Sequence, residues 1–121
     1  VDSQLKLMGK EFIQLTGNDD NALEFNKRGG VGAIGVTANI AAKLSSDFQK
    51  ACKNDMAEAV KLDKILQPLH SSLFIESNPS PVKYAASLLK MCSPNVRLPL
   101  VEIRDETKKK VSDALKSAKL L

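Results

Sequence analysis

Few of the side chains that build nucleic-acid, metal or disulfide sites occur in this sequence. Aromatic residues make up 4% of the chain and tryptophan is absent, which argues against a surface that binds nucleic acid by base stacking. His70 is the only histidine, and Cys52 and Cys92 stand far apart, outside any CxxC spacing. These counts argue against a zinc site, and they predict two reduced, partly buried thiols instead of a disulfide framework.

Long apolar runs and clustered basic residues are also absent. No run approaches the ~20 apolar residues that span a bilayer, and we find no signal-peptide pattern. The formal net charge is +4, but only Lys108–Lys110 form a basic run, and that pattern is typical of a solvated helix face. The sequence therefore predicts a cytoplasmic protein that binds neither a membrane nor nucleic acid. Its first residue, Val1, favours a start inside a longer protein or after processing.

The most informative stretch, residues 12–39, alternates strand, turn and helix signals. A β-rich run is followed by an acidic turn, in which an aspartate is expected to cap a short helix. Cationic residues and then Gly29-Gly30 mark the end of that helix. Two successive β–turn–α units are typical of a repeated α/β fold. The predicted elements are a strand at Phe12–Thr16, a helix at Asn21–Arg28 and a strand at Ala33–Thr37.

From Ile40 onward the apolar residues repeat with the period of a helix. The pair Asn54-Asp55 is expected to end a first helix and to cap the next. Pro68 lies inside the second helical stripe, so a kink or a break is expected near residues 65–67. The apolar stripes of these helices and of the last one are Ile40, Leu44, Phe48 and Ala51/Cys52; Ala59, Leu62, Leu66, Leu69 and Leu73; and Val111, Leu115, Ala118 and Leu121.

Two further helices complete the chain. One is predicted from Pro81 to about Leu89 with Ser80 as its cap, and the last begins at the cap residue Asp105. The chain thus divides into an α/β part, residues 1–54, and a helical part, residues 55–121. The helical part has three helices, or four if Pro68 breaks one.

Gly30–Gly35 matches the GxGxxG pattern of dinucleotide-binding loops. That pattern must follow a strand and open a helix, so that the helix N-terminus faces the pyrophosphate. Here it follows a predicted helix and runs into a predicted strand. We therefore interpret its glycines as a helix stop, a strand entry at Gly32 and a close-packed strand position at Gly35.

Three other candidates for chemistry have simpler structural explanations. Asp19 and Asp20 could form an acid/base pair or hold a metal, but adjacent acidic residues at a helix start are more often a cap. Lys83 could form a Schiff base, but nothing beside the first turn of an exposed helix desolvates its amine. His70 is interpreted as a helix-face or interface residue. By spacing alone, the chain contains no complete active site.

The combination of several short motifs resembles one family closely. TGNDDNALEF (Thr16–Phe25) and GGVGAIGVTANIAA (Gly29–Ala42) are similar to the last two βα units of dihydrodipicolinate synthases. Related pyruvate aldolases such as N-acetylneuraminate lyase share the fold, but they match the later motifs less well. Those motifs resemble the family's helical C-terminal extension in order and spacing; they are Pro68-Leu69-His70, Leu73-Phe74, Asn78-Pro79, Pro81-Val82-Lys83 and Arg97–Leu100.

The resemblance implies an α/β, helix-rich fold, formed by the last two βα units of a TIM (β/α)8 barrel and a C-terminal helical bundle. It implies a parent enzyme, a lyase that condenses pyruvate with aspartate semialdehyde through a lysine Schiff base in lysine and diaminopimelate biosynthesis. The family uses no metal or organic cofactor and is usually a homo-tetramer. Because a full barrel needs about 250 residues, the chain is expected to be a C-terminal fragment. Two strands alone leave two unpaired edges, so a mostly α-helical isolated chain is the other expectation.

The resemblance also implies substrate-binding positions, but no catalytic residue in this chain. Gly17 matches a glycine beside the substrate at the end of the seventh strand. Asn18, which stands where the family commonly has aspartate, and Asp19 occupy the next turn, near the second substrate. Ile34 resembles the residue whose backbone contacts pyruvate, and Asn78 a loop residue at the pocket mouth. The family's Schiff-base lysine, its proton-relay tyrosine and threonine, and its carboxylate-binding arginine belong upstream of this sequence.

Three alternatives to an inactive enzyme fragment remain open from the sequence. The chain could be a non-catalytic helical module that associates through uncovered barrel surface. It could belong to another pyruvate-dependent aldolase of the same superfamily. A nucleotide-binding protein is the third alternative, and it depends on GVGAIG alone.

Overall fold

The computed structural model describes all residues 1–121 and contains six α-helices, one 3-10 turn and two short strands. None of the helices is long and apolar enough to cross a membrane. The elements in chain order are α1 (Asp2–Met8), β1 (Leu15–Thr16), α2 (Ala22–Lys27), β2 (Gly32–Ala33), the 3-10 turn Thr37–Asn39, α3 (Ala42–Asn54), α4 (Met56–Leu73), α5 (Ser80–Leu88) and α6 (Asp105–Ser117).

The two strands form a parallel pair in which Leu15 is opposite Gly32 and Thr16 is opposite Ala33. Two more backbone bonds frame the pair, from Val31 N to Gln14 O at 3.0 Å and from Ile34 N to Thr16 O at 2.9 Å. Both strands exist as predicted, but they are shorter than Phe12–Thr16 and Ala33–Thr37. Beyond these bonds neither strand has a partner backbone, and Thr37 lies in the 3-10 turn instead of a strand.

The two faces of this sheet have opposite environments. Gln14 and Thr16 are buried on the side of the helices, whereas Ile13 and Leu15 are 72% and 50% exposed on the other side. A Cβ at Gly32 would lie 3.2 Å from Leu15 Cδ2, so Gly32 faces the same side as Leu15, whose side chain covers it. Ile34, two residues later, is 74% exposed. Parallel sheets normally have both faces covered, and here one apolar face is open.

One hydrophobic core joins the helices. Leu66, Leu69 and Leu73 of α4 are 1% exposed or less, as are Val111 and Leu115 of α6. The predicted stripes therefore supply the core, although Leu121, at the chain end, is half exposed. The same cluster includes residues from α2, the 3-10 region, α3 and α5; these are Ala22, Ile40, Ala41, Phe48, Ala51, Val82 and Ala85.

Pro68 lies inside α4, and the helix continues through it from Met56 to Leu73. The predicted break is therefore wrong, and three helices follow residue 54. Pro68 cannot donate a backbone bond to the Lys64 carbonyl. Both residues are exposed, so that carbonyl lies on the side of the helix that water can reach. Buried leucines before and after Pro68 hold the two halves of α4 against the same core.

The predicted helix ends are partly confirmed. Gly29 has φ +101° just beyond α2, as expected of a glycine that stops a helix. The Asp55 carboxylate accepts a bond from Glu58 N at 3.1 Å and caps α4. Ser80 and Asp105 were expected to be caps, but each is the first residue of its helix and makes no capping bond.

A carboxylate from a neighbouring segment takes the place of the expected cap of α6. Glu76 Oε1 accepts a bond from Arg104 N at 3.1 Å, at the residue that precedes α6. A hydrogen bond from Thr107 and then the bond from Arg104 lower the pKa of the Glu76 carboxyl. A negative charge at this position is favourable because it faces the positive end of the helix dipole. The sequence around Asp105 could not indicate a partner almost thirty residues earlier.

Both cysteines are free thiols, but their environments differ. Cys52 is half-buried in α3, while Cys92 is exposed in the loop after α5. The expectation of partial burial is therefore confirmed for Cys52 and wrong for Cys92.

Candidate functional site

Three of the five predicted site residues, Gly17, Asn18 and Asp19, follow β1 directly. Thr16 stabilises this turn: its hydroxyl accepts a bond from Asn18 N at 3.1 Å and donates one to Asn21 Oδ1 at 3.0 Å. Beside the turn is an open cavity of about 270 Å³. Its lining residues are Asn18, Asp19, Asp20, His70, Ser71 and Phe74.

Asp19 does not cap α2 and is not free to act with Asp20 as an acid/base pair. Its Oδ2 accepts bonds from Val36 N at 2.7 Å and from Thr37 N at 3.0 Å. The residue before α2 is Asn21, whose side chain makes no capping bond. The aspartate was expected to cap α2. The Asp19 carboxylate is indeed a cap, but it caps the 3-10 turn after β2 and not α2. Nothing in the local sequence indicates a bond across this distance.

Gly35 is required by the position of that carboxylate. A Cβ at Gly35 would overlap both Oδ1 and Cγ of Asp19. The predicted close packing is therefore confirmed, although Gly35 lies after β2 and not within a strand. Gly32 lies in β2, which follows α2, so the glycine pattern has the reverse of the order that a dinucleotide loop requires.

His70 lies behind the turn, at the C-terminal end of α4. Its side chain is 5% exposed, and its Nδ1 shares a hydrogen bond of 2.7 Å with the hydroxyl of the fully buried Thr37. Burial lowers the pKa of the imidazole, and the charges of Asp19, Asp63 and Asp20 oppose this shift. His70 is thus a buried, hydrogen-bonded histidine. In the sequence, its burial was indicated by its place beside Leu66 and Leu69 on an apolar stripe.

Ile34 and Asn78 occupy separate positions around this turn. The Ile34 amide bonds to Thr16 O, while its carbonyl accepts no bond within the chain and its side chain is exposed. Asn78 is exposed in the loop between α4 and α5, and it is not among the residues that line the 270 Å³ cavity. The structure thus brings Gly17, Asn18, Asp19 and Ile34 to one end of the strand pair, and it leaves Asn78 apart from them.

The chain provides backbone groups for binding but no nucleophile with an adjacent base. The Lys83 amine donates to the backbone carbonyl of Asn95, so it is not a free amine aimed at the turn after β1. No group of three or more histidine, cysteine, aspartate or glutamate side chains could hold a metal ion. The open groups at the strand ends are the backbone of Gly17 and the carbonyl of Ile34. Such groups orient a polar ligand and do not react with it.

Comparisons with known proteins agree on one family. The model of the Dihydrodipicolinate synthetase family matches residues 1–118. Over its whole length the chain is 66% identical to the 4-hydroxy-tetrahydrodipicolinate synthase of Pelagibacter ubique and 54% identical to that of Zymomonas mobilis. The crystal structure of dihydrodipicolinate synthase from Thermotoga maritima superposes with a TM-score of 0.92 at 31% identity and covers 99% of this chain.

The same comparisons show how much of each relative is matched. The chain spans 43% of the Pelagibacter protein, 42% of the Zymomonas protein and 41% of the Thermotoga chain. The matched part includes both strands, the turn after each of them and all six helices. The family match and the whole-chain identities lead to one conclusion: this chain belongs to the dihydrodipicolinate synthetase family.

Proposed function

We propose that the chain forms the C-terminal part of a 4-hydroxy-tetrahydrodipicolinate synthase, with residues 1–54 as the last two βα units of a TIM barrel and residues 55–121 as its helical extension. The complete enzyme condenses pyruvate with aspartate semialdehyde through a lysine Schiff base, in lysine and diaminopimelate biosynthesis. The observation that carries this proposal is the 66% identity with the Pelagibacter synthase over the whole chain.

The open face of the strand pair supports the barrel assignment. Ile13, Leu15 and Ile34 are 72%, 50% and 74% exposed on one side of two parallel strands. In a closed barrel this side faces the interior, where side chains from alternate strands pack in layers. Full burial of three such aliphatic side chains is worth about 1.5–3 kcal/mol each. That stabilisation favours association with the strands that complete the barrel.

The strand ends support the assignment of a substrate pocket. Active sites of TIM barrels lie at the C-terminal ends of the strands, and Gly17 and Ile34 occupy this position on neighbouring strands. In the proposed enzyme the Gly17 backbone and the Ile34 carbonyl border bound pyruvate. Asn18 lies towards the aldehyde substrate, and Asn78 lies at the pocket mouth. The family resemblance assigns the reactive lysine to another strand, and the Lys83 amine is bonded to the Asn95 carbonyl.

The remaining properties of the proposed enzyme follow those of its family. We propose a cytoplasmic homo-tetramer that needs no metal or organic cofactor. Its substrates are two small carbonyl compounds that carry carboxylates, so the pocket has to combine backbone donors with cationic side chains. This chain supplies backbone groups at the strand ends, and the cationic partners come from the rest of the barrel.

A chimera with the Pelagibacter synthase tests the proposal. The segment of that enzyme that aligns with residues 1–121 is replaced by this chain. We expect the chimera to consume pyruvate and aspartate semialdehyde, and to gain a pyruvyl adduct after borohydride reduction, detected by mass spectrometry. The isolated chain, treated in the same way, should gain no adduct. Supplying N-acetylneuraminate in place of the synthase substrates tests the other aldolase class.

Two controls make the result interpretable. The unmodified Pelagibacter enzyme is the positive control, and a chimera with Leu69→Asp, which places a charge in the core, is the negative one. A chimera that melts cooperatively like the Pelagibacter enzyme but forms no adduct and no product contradicts the proposed function. Stable adduct formation by the isolated chain contradicts the assignment of the reactive lysine to another segment.

A further inference from the structure

Asp19 lines the open cavity at the strand ends, but its hydrogen bonds are made within the chain. One oxygen, Oδ2, accepts bonds from two successive amides, Val36 N at 2.7 Å and Thr37 N at 3.0 Å. The other, Oδ1, occupies the space where a side chain at Gly35 would be. One carboxylate oxygen thus holds the amides of Val36 and Thr37, and the other packs against Gly35.

We infer that Asp19 is a positioning residue, which fixes the turn after Ile34 and thereby sets the place of the Ile34 carbonyl relative to Gly17. This differs from the expectation that Asp19 lies near the second substrate. The structural half of the inference concerns this chain alone. The catalytic half, an effect on pyruvate binding, rests on the proposed function.

The turn is anchored at three points. Before it, the Ile34 amide bonds to Thr16 O at 2.9 Å on the neighbouring strand. After it, Asp19 holds the amides of Val36 and Thr37, and the Thr37 hydroxyl bonds to His70 in α4. Only the Ile34 carbonyl and Gly35 lie between the anchored amides of Ile34 and Val36. Loss of the Asp19 anchor therefore frees the segment that carries the Ile34 carbonyl, while α4 and the core stay in place.

Asp20 provides a natural comparison. It is the neighbouring residue, it is exposed, and its carboxylate makes no hydrogen bond in the chain; only its backbone carbonyl is used, by Gln67 Nε2 at 3.0 Å. Bonds from amides to a carboxylate are roughly twice as strong as bonds between neutral groups. The Asp19 carboxylate thus holds the turn through two amide bonds, whereas the Asp20 carboxylate makes no bond to it.

Amide hydrogen exchange in the isolated chain tests the structural half. We expect Asp19→Ala to speed exchange at Val36 and Thr37 by about tenfold or more, and Asp19→Asn, which retains an acceptor oxygen, to have a smaller effect. Exchange at Leu66 and Leu69 in α4 should not change, and Asp20→Asn should leave every amide as it was. If the amides of Val36 and Thr37 exchange at the same rate in the Asp19→Ala variant as in the unsubstituted chain, the inference is overturned.

A double substitution tests the contact between Asp19 and Gly35. Gly35→Ala should disturb the turn because its Cβ overlaps the carboxylate, and exchange at Val36 and Thr37 should rise. In the Asp19→Ala background that space is empty, so the same glycine substitution should add little. If the two substitutions have additive effects on exchange, the carboxylate does not occupy this space and the inference is overturned.

Kinetics of the Pelagibacter chimera test the catalytic half. A displaced Ile34 carbonyl should raise the KM for pyruvate by about tenfold in Asp19→Ala, with the KM for aspartate semialdehyde within about twofold and a smaller pyruvate effect in Asp19→Asn. Asp113→Asn, on the exposed side of α6, is the matched control and should alter neither value. A selective rise in the KM for aspartate semialdehyde overturns the inference and assigns Asp19 to the substrate. An inactive but folded chimera contradicts the proposed function instead, and the exchange result stands independently of it.

Discussion

Thr37→Val removes the hydroxyl that joins the 3-10 turn to α4, and its cost can be worked from the structure. Thr37 is fully buried, His70 is 5% exposed, and their side chains share a bond of 2.7 Å. Valine has nearly the same shape, so the main loss is that bond. A buried polar group that loses its only partner costs about 1–3 kcal/mol. With a urea m value of about 2 kcal/mol/M, a loss of about 2 kcal/mol lowers the unfolding midpoint by about 1 M.

A double-mutant cycle separates this bond from packing. His70→Leu leaves the Thr37 hydroxyl without a partner and should also cost about 1–3 kcal/mol. In the double variant Thr37→Val/His70→Leu no polar group is left unpaired. Its cost should therefore fall below the sum of the single costs by about 1–2 kcal/mol. Thr37→Ser, which keeps the hydroxyl and loses only a methyl group, should cost about 1 kcal/mol.

The assay is urea unfolding followed by far-ultraviolet circular dichroism at about pH 7.5, where an ordinary histidine is neutral. Equal m values for all variants are needed before the midpoints are compared. The reasoning is refuted if Thr37→Val shifts the midpoint by less than about 0.2 M, at an m value of about 2 kcal/mol/M. It is also refuted if the single costs add within about 0.3 kcal/mol.

Two further predictions concern pH and the core. Burial lowers the folded-state pKa of His70 below its ordinary value of 6.5, so the unfolded chain binds the proton more readily. The free energy of unfolding should therefore fall as the pH drops through 6.5. Urea midpoints at about pH 7.5 and 5.5 measure this fall, which should be smaller in His70→Gln. A pH dependence equal in both proteins would contradict this assignment. Leu69→Ala should lower the free energy of unfolding by about 2–5 kcal/mol, because Leu69 is 1% exposed. Leu98 is 87% exposed, so Leu98→Ala should change it by no more than about 0.5 kcal/mol. Similar losses for both variants in urea unfolding would contradict the burial assigned to these two leucines.

The helical core could be predicted from the sequence because it depends on periodicity. Leu66, Leu69 and Leu73 recur at the spacing of one helix face, and all three are buried. Asp55 could be predicted as a cap because its bond to Glu58 N spans three residues. Of the kink or break expected near Pro68, the break is wrong, since a local rule for proline takes no account of the buried leucines on both sides of it.

The candidate site could be predicted only in part. Gly17 and Ile34 were indicated by the family resemblance, and the structure places both at one end of the strand pair; their role in binding is a proposal. The partners of Asp19, His70 and Glu76 could not be predicted, because each bond joins segments 17 or more residues apart. Local patterns favoured caps by an aspartate before α2 and by Asp105 at α6, whereas Asp19 bonds to the amides of Val36 and Thr37 and Glu76 bonds to the Arg104 amide before α6.

The order of strands and helices, the stops at Gly29 and at the loops, and the family of the chain follow from the amino-acid sequence. These depend on local spacing and on short motifs, which can be recognised in the sequence without the three-dimensional structure. Only the tertiary structure decided that the Asp19 carboxylate holds the turn after Ile34 and that Thr37 bonds to His70. It also decided which face of the strands is left open. The physical reason is that a hydrogen bond or a buried face needs a partner, and the fold alone brings that partner within reach.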